Sequence, residues 1–568
     1  MAKTVAIGLQ SFEDIRKNDV FYVDKTHFIK EWWENYDAVT LITRPRRFGK
    51  TLNMDMLNCF FSNRYANRGD LFEGLSIWNE EKYRELQGTY PVIFLSFAGV
   101  KARNYEDAKR QIFTIIRQLY ESYKFLPHDN AVFEMMNNMK EYRRTGRNDN
   151  DAINDADLAF SLNELSGYLY EYYQKKVIIL LDEYDTPMQE AWIGGYWEKI
   201  VELFRTMFNA AFKTNSYLER GVITGITRIS KESIFLDLNH PKVVTVSSDA
   251  YADCFGFTEE EVFQALDEYG LSDQKQDVKE WYDGFIFGTH TDIYNPWSII
   301  NYLDERKLAG YWVNTSSNGL VNTLMREGDA ETKMIVEDLI RGKSFKAKID
   351  EQIVFNQLQD SNDAVWSLLL ASGYLKAISI ETIETEAEQI QLYTLNCTNK
   401  ETRCMFSRMV RGWFQSSKQS YNYFIKSLLV NDVESMNEFM NDVALDTFSS
   451  FDTGKKTSKT EPERFYHGFV LGLMVDLSDR YVLTSNRESG FGRYDIMLEP
   501  KNKEDNAYII EFKVHKTGKG KTLEDTVASA LQQIADKKYD TMLLQKGIPQ
   551  EKIYKYGFAF EGKTVLIG

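Results

Sequence analysis

A short loop near the N-terminus carries residue types that bind phosphate. Gly49-Lys50-Thr51 ends a loop that begins at Arg44, and the loop follows an apolar, strand-like segment from Val39 to Ile42. A helical pattern comes next, which gives the order strand, loop and helix. Glycine lets the backbone approach an anion closely, and the N–H groups of the turn and of the helix N-terminus attract negative charge. The pattern predicts that Lys50 contacts the outer phosphates of ATP and that the Thr51 hydroxyl ligates magnesium.

The front of this loop differs from the usual P-loop. The common spacing GxxxxGK(S/T) has glycine where this chain has Arg44, so the loop must turn differently. Pro45 fixes one backbone dihedral, and Arg46 and Arg47 add positive charge. The alternative is a basic surface turn that contains Gly-Lys-Thr by chance.

A second run places acids at the end of a buried strand. Val177 to Leu181 is a run of five apolar, largely branched residues, which is typical of a strand buried on both faces of a parallel sheet. Asp182, Glu183 and Asp185 follow, at the edge where open α/β sheets bind ligands. We expect Asp182 to hold magnesium through water and Glu183 to orient the attacking water of ATP hydrolysis. A solvated acidic strand end is the alternative, and the upstream loop favours the ATPase interpretation.

A third strand-like run supplies candidates for sensing the γ-phosphate. Gly221 to Ile226 ends in Thr227 and Arg228. Either side chain suits that role if this strand neighbours the acidic one. A threonine-rich strand end is equally typical of an ordinary turn.

Near the C-terminus, a predicted hairpin brings two carboxylates together. Strand-like runs from Arg493 to Glu499 and from Ala507 to Val514 flank a polar loop. If that loop is symmetric about Lys503, Asp495 lies directly opposite Glu511, with Cβ atoms ~4.5–5.5 Å apart.

The same hairpin is predicted to hold a divalent metal. Strand alternation puts Glu511 and Lys513 on one face. The alternate residues are expected to face the core: Ile510, Phe512 and Val514. Opposed carboxylates destabilise a hairpin unless a cation bridges them, and oxygen ligands suit a hard divalent ion. Such a metal polarises a phosphodiester and lowers the pKa of bound water, while Lys513 positions that water or offsets developing charge. The alternative is a solvent-exposed hairpin face with ordinary charges.

Length and composition bound the class of protein. A chain of 568 residues with 43% hydrophobic content should contain about three or four packed domains, and no internal repeat is visible. The net charge of −16 repels nucleic acid from the molecule as a whole. Any nucleic-acid site is therefore expected to be a local basic channel.

The cysteines and the apolar segments indicate a cytoplasmic protein. Cys59, Cys254, Cys397 and Cys404 lack CxxC spacing, so we expect reduced structural thiols rather than a zinc ribbon or a disulfide framework. The N-terminus lacks a long apolar h-region, and no run approaches the ~18 apolar residues of a membrane span. We expect no membrane partner.

The middle of the chain is predicted to be mainly helical. Thr258 is expected to cap one helix, and Asn295 another with Pro296 at its first position. From about 360 to 410 a helix and two strands indicate a winged-helix-like unit. An amphipathic helix is predicted over 420–446 and a linker over 449–462.

Several motifs together resemble a bacterial AAA-like ATPase family. The motifs are Asp24-Lys25-Thr26, Arg44 to Thr51, Leu181 to Asp185, Thr224 to Arg228, Trp281 to Gly284 and Tyr294 to Trp297. In that family the arginine-rich loop stands in for the ordinary Walker A motif. The resemblance implies that Arg46, Arg47 and Gly49 take part in nucleotide binding.

Members of that family typically carry a C-terminal domain of the PD-(D/E)XK nuclease superfamily. Tyr466-His467-Gly468, Asp495 and Glu511-Phe512-Lys513 resemble it, although the usual proline of the motif is Tyr494 here. The resemblance implies Glu463 as a third metal-binding acid. It spans nearly the whole chain and is weakest from about 305 to 445.

The expected architecture follows from these motifs. The fold class is α/β, with a P-loop (ASCE/AAA-like) parallel-sheet ATPase domain at 1–250 and a helical lid region at 251–360. A winged-helix-like and helical region is expected at 361–446 and a linker at 447–462. An α/β, restriction-endonuclease-like domain is expected at 463–568.

Two functional hypotheses follow. The first is an ATP-dependent nucleic-acid-processing protein that uses ATP with magnesium, or manganese as the alternative metal, and that acts on DNA rather than RNA. The second is an ATP-dependent switch whose C-terminal domain binds nucleic acid or protein without cleaving it. Both hypotheses are compatible with a protein that forms oligomers. The feature that separates them is whether Asp495, Glu511 and Lys513 share a face.

Overall fold

The computed structural model divides the chain into two compact units. It describes residues 2–126, 154–229, 241–315, 319–353, 362–384, 389–413, 418–451, 461–486, 494–515, 522–561 and 564–568. The first unit contains residues 1–315 and 346–401, and the second contains residues 316–345 and 402–568. The boundaries of the expected domains remain a prediction.

The first unit is built around parallel strands. In chain order, the strands up to residue 397 are β1 (Val39–Thr43), β2 (Val92–Ser96), β3 (Val177–Asp182), β4 (Leu218–Gly225), β5 (Arg228–Ile229), β6 (Lys242–Val244), β7 (Phe257–Thr258), β8 (Phe285–Phe287), β9 (His290–Tyr294), β10 (Phe345–Lys348), β11 (Gln352–Ile353), β12 (Leu375–Glu384) and β13 (Gln389–Cys397). The main sheet has the order β2-β3-β4-β1-β6, and all its neighbours are parallel. The P-loop strand β1 and the acidic strand β3 are therefore separated by β4, and β4 neighbours β3, which is the arrangement that the sensor role requires.

Helices accompany these strands along the chain. Up to residue 412 they are α1 (Phe12–Lys17), α2 (His27–Asn35), α3 (Lys50–Phe61), α4 (Glu81–Leu86), α5 (Tyr105–Glu121), α6 (Asp155–Tyr173), α7 (Thr186–Gly194), α8 (Trp197–Phe208), α9 (Glu259–Glu268), α10 (Lys275–Tyr282), α11 (Pro296–Glu305), α12 (Gly319–Glu327), α13 (Ala330–Ile340), α14 (Asn362–Ala371) and α15 (Lys400–Gly412). The predicted helix starts are confirmed. Thr258 and Glu261 form a capping box, and Asn295 accepts hydrogen bonds from the backbone N–H groups of Trp297 and Ser298.

The middle region contains more sheet than the sequence predicted. A small sheet of order β7-β9-β8 lies within the region expected to be a helical lid, and its aromatic and aliphatic neighbours form a buried core with α9, α10 and α11. The predicted helix and two strands after residue 360 are α14, β12 and β13. β10 adds a third strand beside β13.

The second unit ends in a mixed sheet. Its elements after residue 412 are α16 (Lys418–Val430), α17 (Val433–Phe451), α18 (Glu461–Asp476), β14 (Tyr481–Asn486), β15 (Tyr494–Pro500), β16 (Ala507–Val514), α19 (Leu523–Asp536), α20 (Thr541–Gln545), β17 (Ile553–Glu561) and β18 (Thr564–Ile567). The strand order is β14-β15-β16-β17-β18, with β16 and β17 parallel and the other pairs antiparallel. The expected linker at 447–462 is wrong at both ends, because residues 447–451 belong to α17 and residues 461–462 to α18. Residues 452–460 lie outside the described residues.

Helix layers cover both faces of β16. Ile509 packs with Ile534 of α19, and Phe512 contacts Phe469 of α18 on the other face. The predicted core position of Val514 is wrong, because Val514 lies at the end of the strand and is 37% exposed. The central place of β16 also excludes a solvent-exposed hairpin face.

Helix α17 belongs to this sheet as well. Asn437 and Asn441 lie one turn apart in α17. The side-chain amide of each exchanges two hydrogen bonds with the backbone of β18, at Ile567 and Val565 respectively. Side-chain amides thus pair the free edge of an outer strand, which protects it from pairing with another chain. The compact second unit therefore begins well before residue 463.

Within the ranges given above, no helix combines the length and the apolar character needed to cross a bilayer.

Candidate active sites

The ammonium group of Lys50 lies inside the loop that precedes it. Lys50 is 3% exposed, and Nζ donates hydrogen bonds to the backbone carbonyls of Arg44 and Pro45, both at 3.1 Å. Gly49 comes just before the helix with φ at 81°, a conformation that L side chains rarely adopt. The loop therefore wraps around the amine that is predicted to meet phosphate.

Arg44 explains how the loop turns without the usual first glycine. Its side chain is fully buried and donates hydrogen bonds to the carbonyls of Thr43, Thr245 and Ala250. Its guanidinium also lies 4.5 Å from the ring centroid of Phe287, and burial lowers the Arg44 pKa to about 10. Arg44 is therefore a brace of the loop and does not face the phosphate position.

The next two arginines, Arg46 and Arg47, contact residues from beyond residue 290. The carbonyl of Arg46 accepts hydrogen bonds from Trp312 Nε1 at 3.0 Å and Asn295 Nδ2 at 3.3 Å. Arg47 adopts φ of 65° and stacks on Trp297, with its Cζ 4.3 Å from the ring centroid. Arg46 remains exposed, so its positive charge is available to an anion at the loop.

Hydroxyl groups from three neighbouring elements donate hydrogen bonds to the carboxylate of Asp182. Thr51 Oγ1 donates to Asp182 Oδ2 at 2.8 Å, Thr224 Oγ1 donates to Oδ1 at 2.6 Å, and Ser96 Oγ donates to Oδ2 at 3.2 Å. Burial and the neighbouring Glu183 raise the pKa of Asp182, whereas these hydroxyl groups oppose the shift. The predicted magnesium ligands Thr51 and Asp182 are thus adjacent. Ser96 and Thr224 were not predicted as partners.

Glu183 lies beside Lys50, the lysine that is predicted to bind phosphate. Its φ is 53°, and its Oε1 is 3.3 Å from Lys50 Nζ. Its backbone N–H points at Thr224 Oγ1, at 3.4 Å. A non-glycine residue in the left-handed region is strained, and such strain clusters at functional sites. The turn aims this carboxylate at the loop and leaves it 18% exposed.

Asp185 fastens the end of β4 to the acidic turn. Its Oδ2 accepts hydrogen bonds from the N–H groups of Ile226 and Thr227 and from the Thr227 hydroxyl. Burial and Glu183 raise the Asp185 pKa. Gly225 is required here, since a Cβ would lie 2.6 Å from the Tyr184 ring and 2.9 Å from Asp185 Oδ1. The sequence signal for this contact was the density of acids after β3.

Thr227 and Arg228, the two candidates for sensing the γ-phosphate, differ in their surroundings. Thr227 is fully buried and bonded to Asp185, so its hydroxyl serves the turn. Arg228 begins β5, which pairs in parallel with β11 at Gln352. The side chain of Arg228 lies outside the described residues, and its role stays a prediction.

The hairpin register near the C-terminus is as predicted. Asp495 of β15 pairs directly with Glu511 of β16. Glu511 is fully buried, and among the described residues neither of its carboxylate oxygens has a hydrogen-bond partner. A buried carboxylate without a partner is unfavourable, by the order of several kcal/mol, unless a cation or a donor meets it. This observation fits a divalent cation at the site.

Lys513 lies two residues further along the same strand. Its ammonium donates hydrogen bonds to the carbonyl and the hydroxyl of Ser529 in α19, both at 3.0 Å. Glu463 lies near the start of α18. The side chains of Glu463, Asp495 and the motif 466–467 lie outside the described residues.

Comparison with known proteins defines the class. Residues 6–235 match the family model of a predicted AAA-ATPase, and residues 461–568 match that of the PD-(D/E)XK nuclease superfamily. The chain therefore combines an AAA-ATPase-like domain with a C-terminal domain of the PD-(D/E)XK nuclease superfamily, as the motifs indicated.

One relative aligns with nearly the whole of this chain. A protein of Azotobacter chroococcum mcd 1, described as an uncharacterized protein in the vnfD 5′ region, is 23% identical over 558 residues. The aligned part covers 96% of this chain and 95% of the relative. The similarity thus includes the middle region as well as both domains.

Proposed function

We propose that the N-terminal domain binds and hydrolyses ATP with magnesium. The observation that carries this proposal is the convergence of Thr51, Asp182 and Glu183 at the loop that surrounds Lys50. Thr51 and Asp182 would hold the magnesium ion, and that ion would neutralise phosphate charge when bound. Lys50, with its ammonium already inside the loop, would contact the outer phosphates.

In this proposal Glu183 has two partners, the Lys50 ammonium and a water molecule. Its carboxylate lies 3.3 Å from the Lys50 ammonium and partly compensates that positive charge. Nucleotide phosphate would compete for that ammonium and release the carboxylate to orient a water molecule. Arg46 and Arg47 would add positive charge at the same loop, and Arg228 would report the γ-phosphate from the end of β4.

We further propose that the C-terminal domain is a metal-dependent phosphodiesterase acting on nucleic acid, with DNA as the preferred substrate. The supporting observation is Glu511, a fully buried carboxylate placed opposite Asp495 in the strand register. These two acids, with Glu463, would hold magnesium or manganese. The metal would supply Lewis-acid activation of the phosphodiester and of a bound water.

Lys513 would assist without touching the metal. Its position two residues beyond Glu511 puts it on the same side of β16, toward α19. In the nuclease role its ammonium would leave Ser529 and stabilise charge that develops on the phosphate. A contact with Ser529 that is kept throughout instead favours the second candidate, an ATP-dependent switch whose C-terminal domain binds without cleaving.

One experiment separates these candidates. Full-length protein is incubated with labelled single- and double-stranded DNA and RNA, with and without Mg²⁺, Mn²⁺ and ATP. We expect metal-dependent cleavage that is lost in Glu511→Gln and retained in Glu551→Gln, a control at an exposed glutamate of the same unit. Binding without cleavage under every condition would leave the switch as the function.

A further inference from the structure

A cluster of histidine, aspartate and cysteine side chains joins the start of α2 to the segment that precedes β7. His27, Asp253 and Cys254 each offer one ligand atom, and these atoms all lie within 4.8 Å of one another. His27 Nε2 is 3.5 Å from Asp253 Oδ1, and Cys254 Sγ is 3.8 Å from the same oxygen. Cys254 Sγ is also 3.5 Å from Glu31 Oε2. We infer that His27, Asp253 and Cys254 form a zinc site to which each residue contributes one ligand atom.

The distances suit tetrahedral zinc. With Zn–N and Zn–O bonds of about 2.0–2.2 Å and a Zn–S bond of about 2.3 Å, tetrahedral ligands lie roughly 3.3–3.7 Å apart. Asp253 Oδ1 lies 3.5 Å from His27 Nε2 and 3.8 Å from Cys254 Sγ, and the three ligand atoms all lie within 4.8 Å of one another.

The chemistry of the ligand set points to zinc rather than magnesium. Imidazole and thiolate ligands favour zinc, whereas magnesium and calcium prefer oxygen. The Cys254 side chain is fully buried, and His27 Nε2 is inaccessible to solvent and lies 3.5 Å from the Asp253 carboxylate. A ring nitrogen buried in this way suits a metal ligand.

Local structure fixes the ligands in place. His27 and Glu31 are four residues apart in α2, so they lie on one face of the helix. Glu31 Oε1 accepts a hydrogen bond from the Tyr251 N–H at 3.0 Å, and the Asp253 carbonyl accepts one from Lys25 Nζ at 2.7 Å. Lys25 is itself paired with Glu261, at 2.7 Å, so its charge is compensated beside the site. Such outer contacts orient first-sphere ligands.

The site is connected to the phosphate-binding loop. The Cys254 carbonyl accepts a hydrogen bond from Asn53 Nδ2 at 2.9 Å, and Asn53 lies one turn into the helix that begins at Lys50. The carbonyl of Ala250 accepts a hydrogen bond from Arg44 at the front of the loop. Zinc would therefore join α2 to the segment that supports both ends of the loop. Binding releases the thiol proton of Cys254 to solvent, and no redox change occurs.

Cobalt reports this site selectively. Full-length protein is stripped of metal with a chelator and titrated with Co²⁺, and the thiolate-to-cobalt charge-transfer absorption is recorded. We expect the band to saturate at equimolar metal and to disappear when Zn²⁺ is added. The predicted magnesium sites contain no thiolate and cannot produce it.

Variants then assign the band. Cys254→Ser should abolish it, whereas Cys397→Ser, which replaces another buried thiol, should leave it unchanged. Asp253→Asn should keep the band but weaken cobalt binding by at least the roughly tenfold that loss of an outer-shell partner causes. Zn²⁺ should raise the melting temperature of the wild type and not that of Cys254→Ser. A wild-type protein without the band, or a band that survives in Cys254→Ser, overturns the proposal.

Discussion

The hydroxyl of Thr51 donates a 2.8 Å hydrogen bond to the carboxylate of Asp182. Thr51 follows β1 and Asp182 ends β3, and β4 lies between these two strands in the sheet. The contact therefore passes over the end of β4, where Thr224 donates to the same carboxylate. Two segments about 130 residues apart meet at one point, where Thr51 would ligate a magnesium ion directly and Asp182 would hold it through water.

Nucleotide affinity should depend on Lys50. Lys50→Ala removes the ammonium from the loop and leaves phosphate charge uncompensated, and a charge-assisted contact contributes ~1.5–3 kcal/mol. We expect ATP binding to weaken roughly ten- to a hundredfold by calorimetry. Lys307→Ala, at an exposed lysine, is the control. Equal affinities in the wild type and Lys50→Ala would refute the P-loop assignment.

Hydrolysis should be separable from binding at the acidic turn. Glu183→Gln keeps the shape of the side chain but removes the charge that lies 3.3 Å from Lys50. ATP should therefore bind at least as tightly, while steady-state turnover falls. Asp182→Asn should instead weaken the magnesium dependence of binding, because a predicted metal ligand loses its charge. Wild-type turnover in Glu183→Gln would transfer the role of base to another group.

The C-terminal site should lose metal binding and cleavage together. Asp495→Asn and Glu511→Gln each remove a formal charge from the predicted metal shell with little change of shape. Metal affinity and the rate of cleavage should therefore fall in parallel. Lys513→Ala should abolish cleavage and preserve metal affinity, because lysine is not a ligand. Calorimetric metal titration and a cleavage assay on the full-length protein measure the two quantities.

Nucleic-acid binding provides the control for that series. Phosphate contacts are spread over many basic residues, so affinity should survive in Lys513→Ala with a small loss of salt dependence. The lysines expected to share these contacts, Lys516, Lys519 and Lys521, lie outside the described residues. If the three variants bind metal and cut nucleic acid like the wild type, the site assignment is wrong.

The stability of the first unit should respond to Asp283. Burial and the neighbouring Asp292 raise the Asp283 pKa to about 6. In the unfolded chain the pKa is close to 4, so the folded state binds the extra proton between these values. This contribution to stability is complete below about pH 4 and is lost as the pH rises through about 6.

Asp283→Asn tests this dependence. The amide stays neutral, and like the protonated acid it can donate a hydrogen bond to Asp292. We expect the variant to melt at a higher temperature than the wild type at about pH 7.5, and the difference to shrink at about pH 4.5. Asp273→Asn, at an exposed aspartate nearby, controls for a change of net charge. A constant difference across that range would contradict the assigned pKa.

The sequence predicted the strands and the cap residues because those signals are local. The run before Asp182 is apolar at every position, and Asn295 precedes a proline, so each segment carries its own pattern. The hairpin register at Asp495 and Glu511 followed from the lengths of two runs and the loop between them. The small sheet of β7, β8 and β9 was missed because β7 and β8 have only two and three residues, too few to show an alternating pattern.

The sequence by itself determined the two classes of domain and the residue types at each candidate site. Only the tertiary structure decided which long-range partners those residues have. Arg44 braces the loop through carbonyls about 200 residues away, and β16 is buried on both faces because α18 and α19 cover it. His27 and Cys254 come together for the same reason. Apolar periodicity shows which face of an element is buried, but it does not show which distant element covers that face.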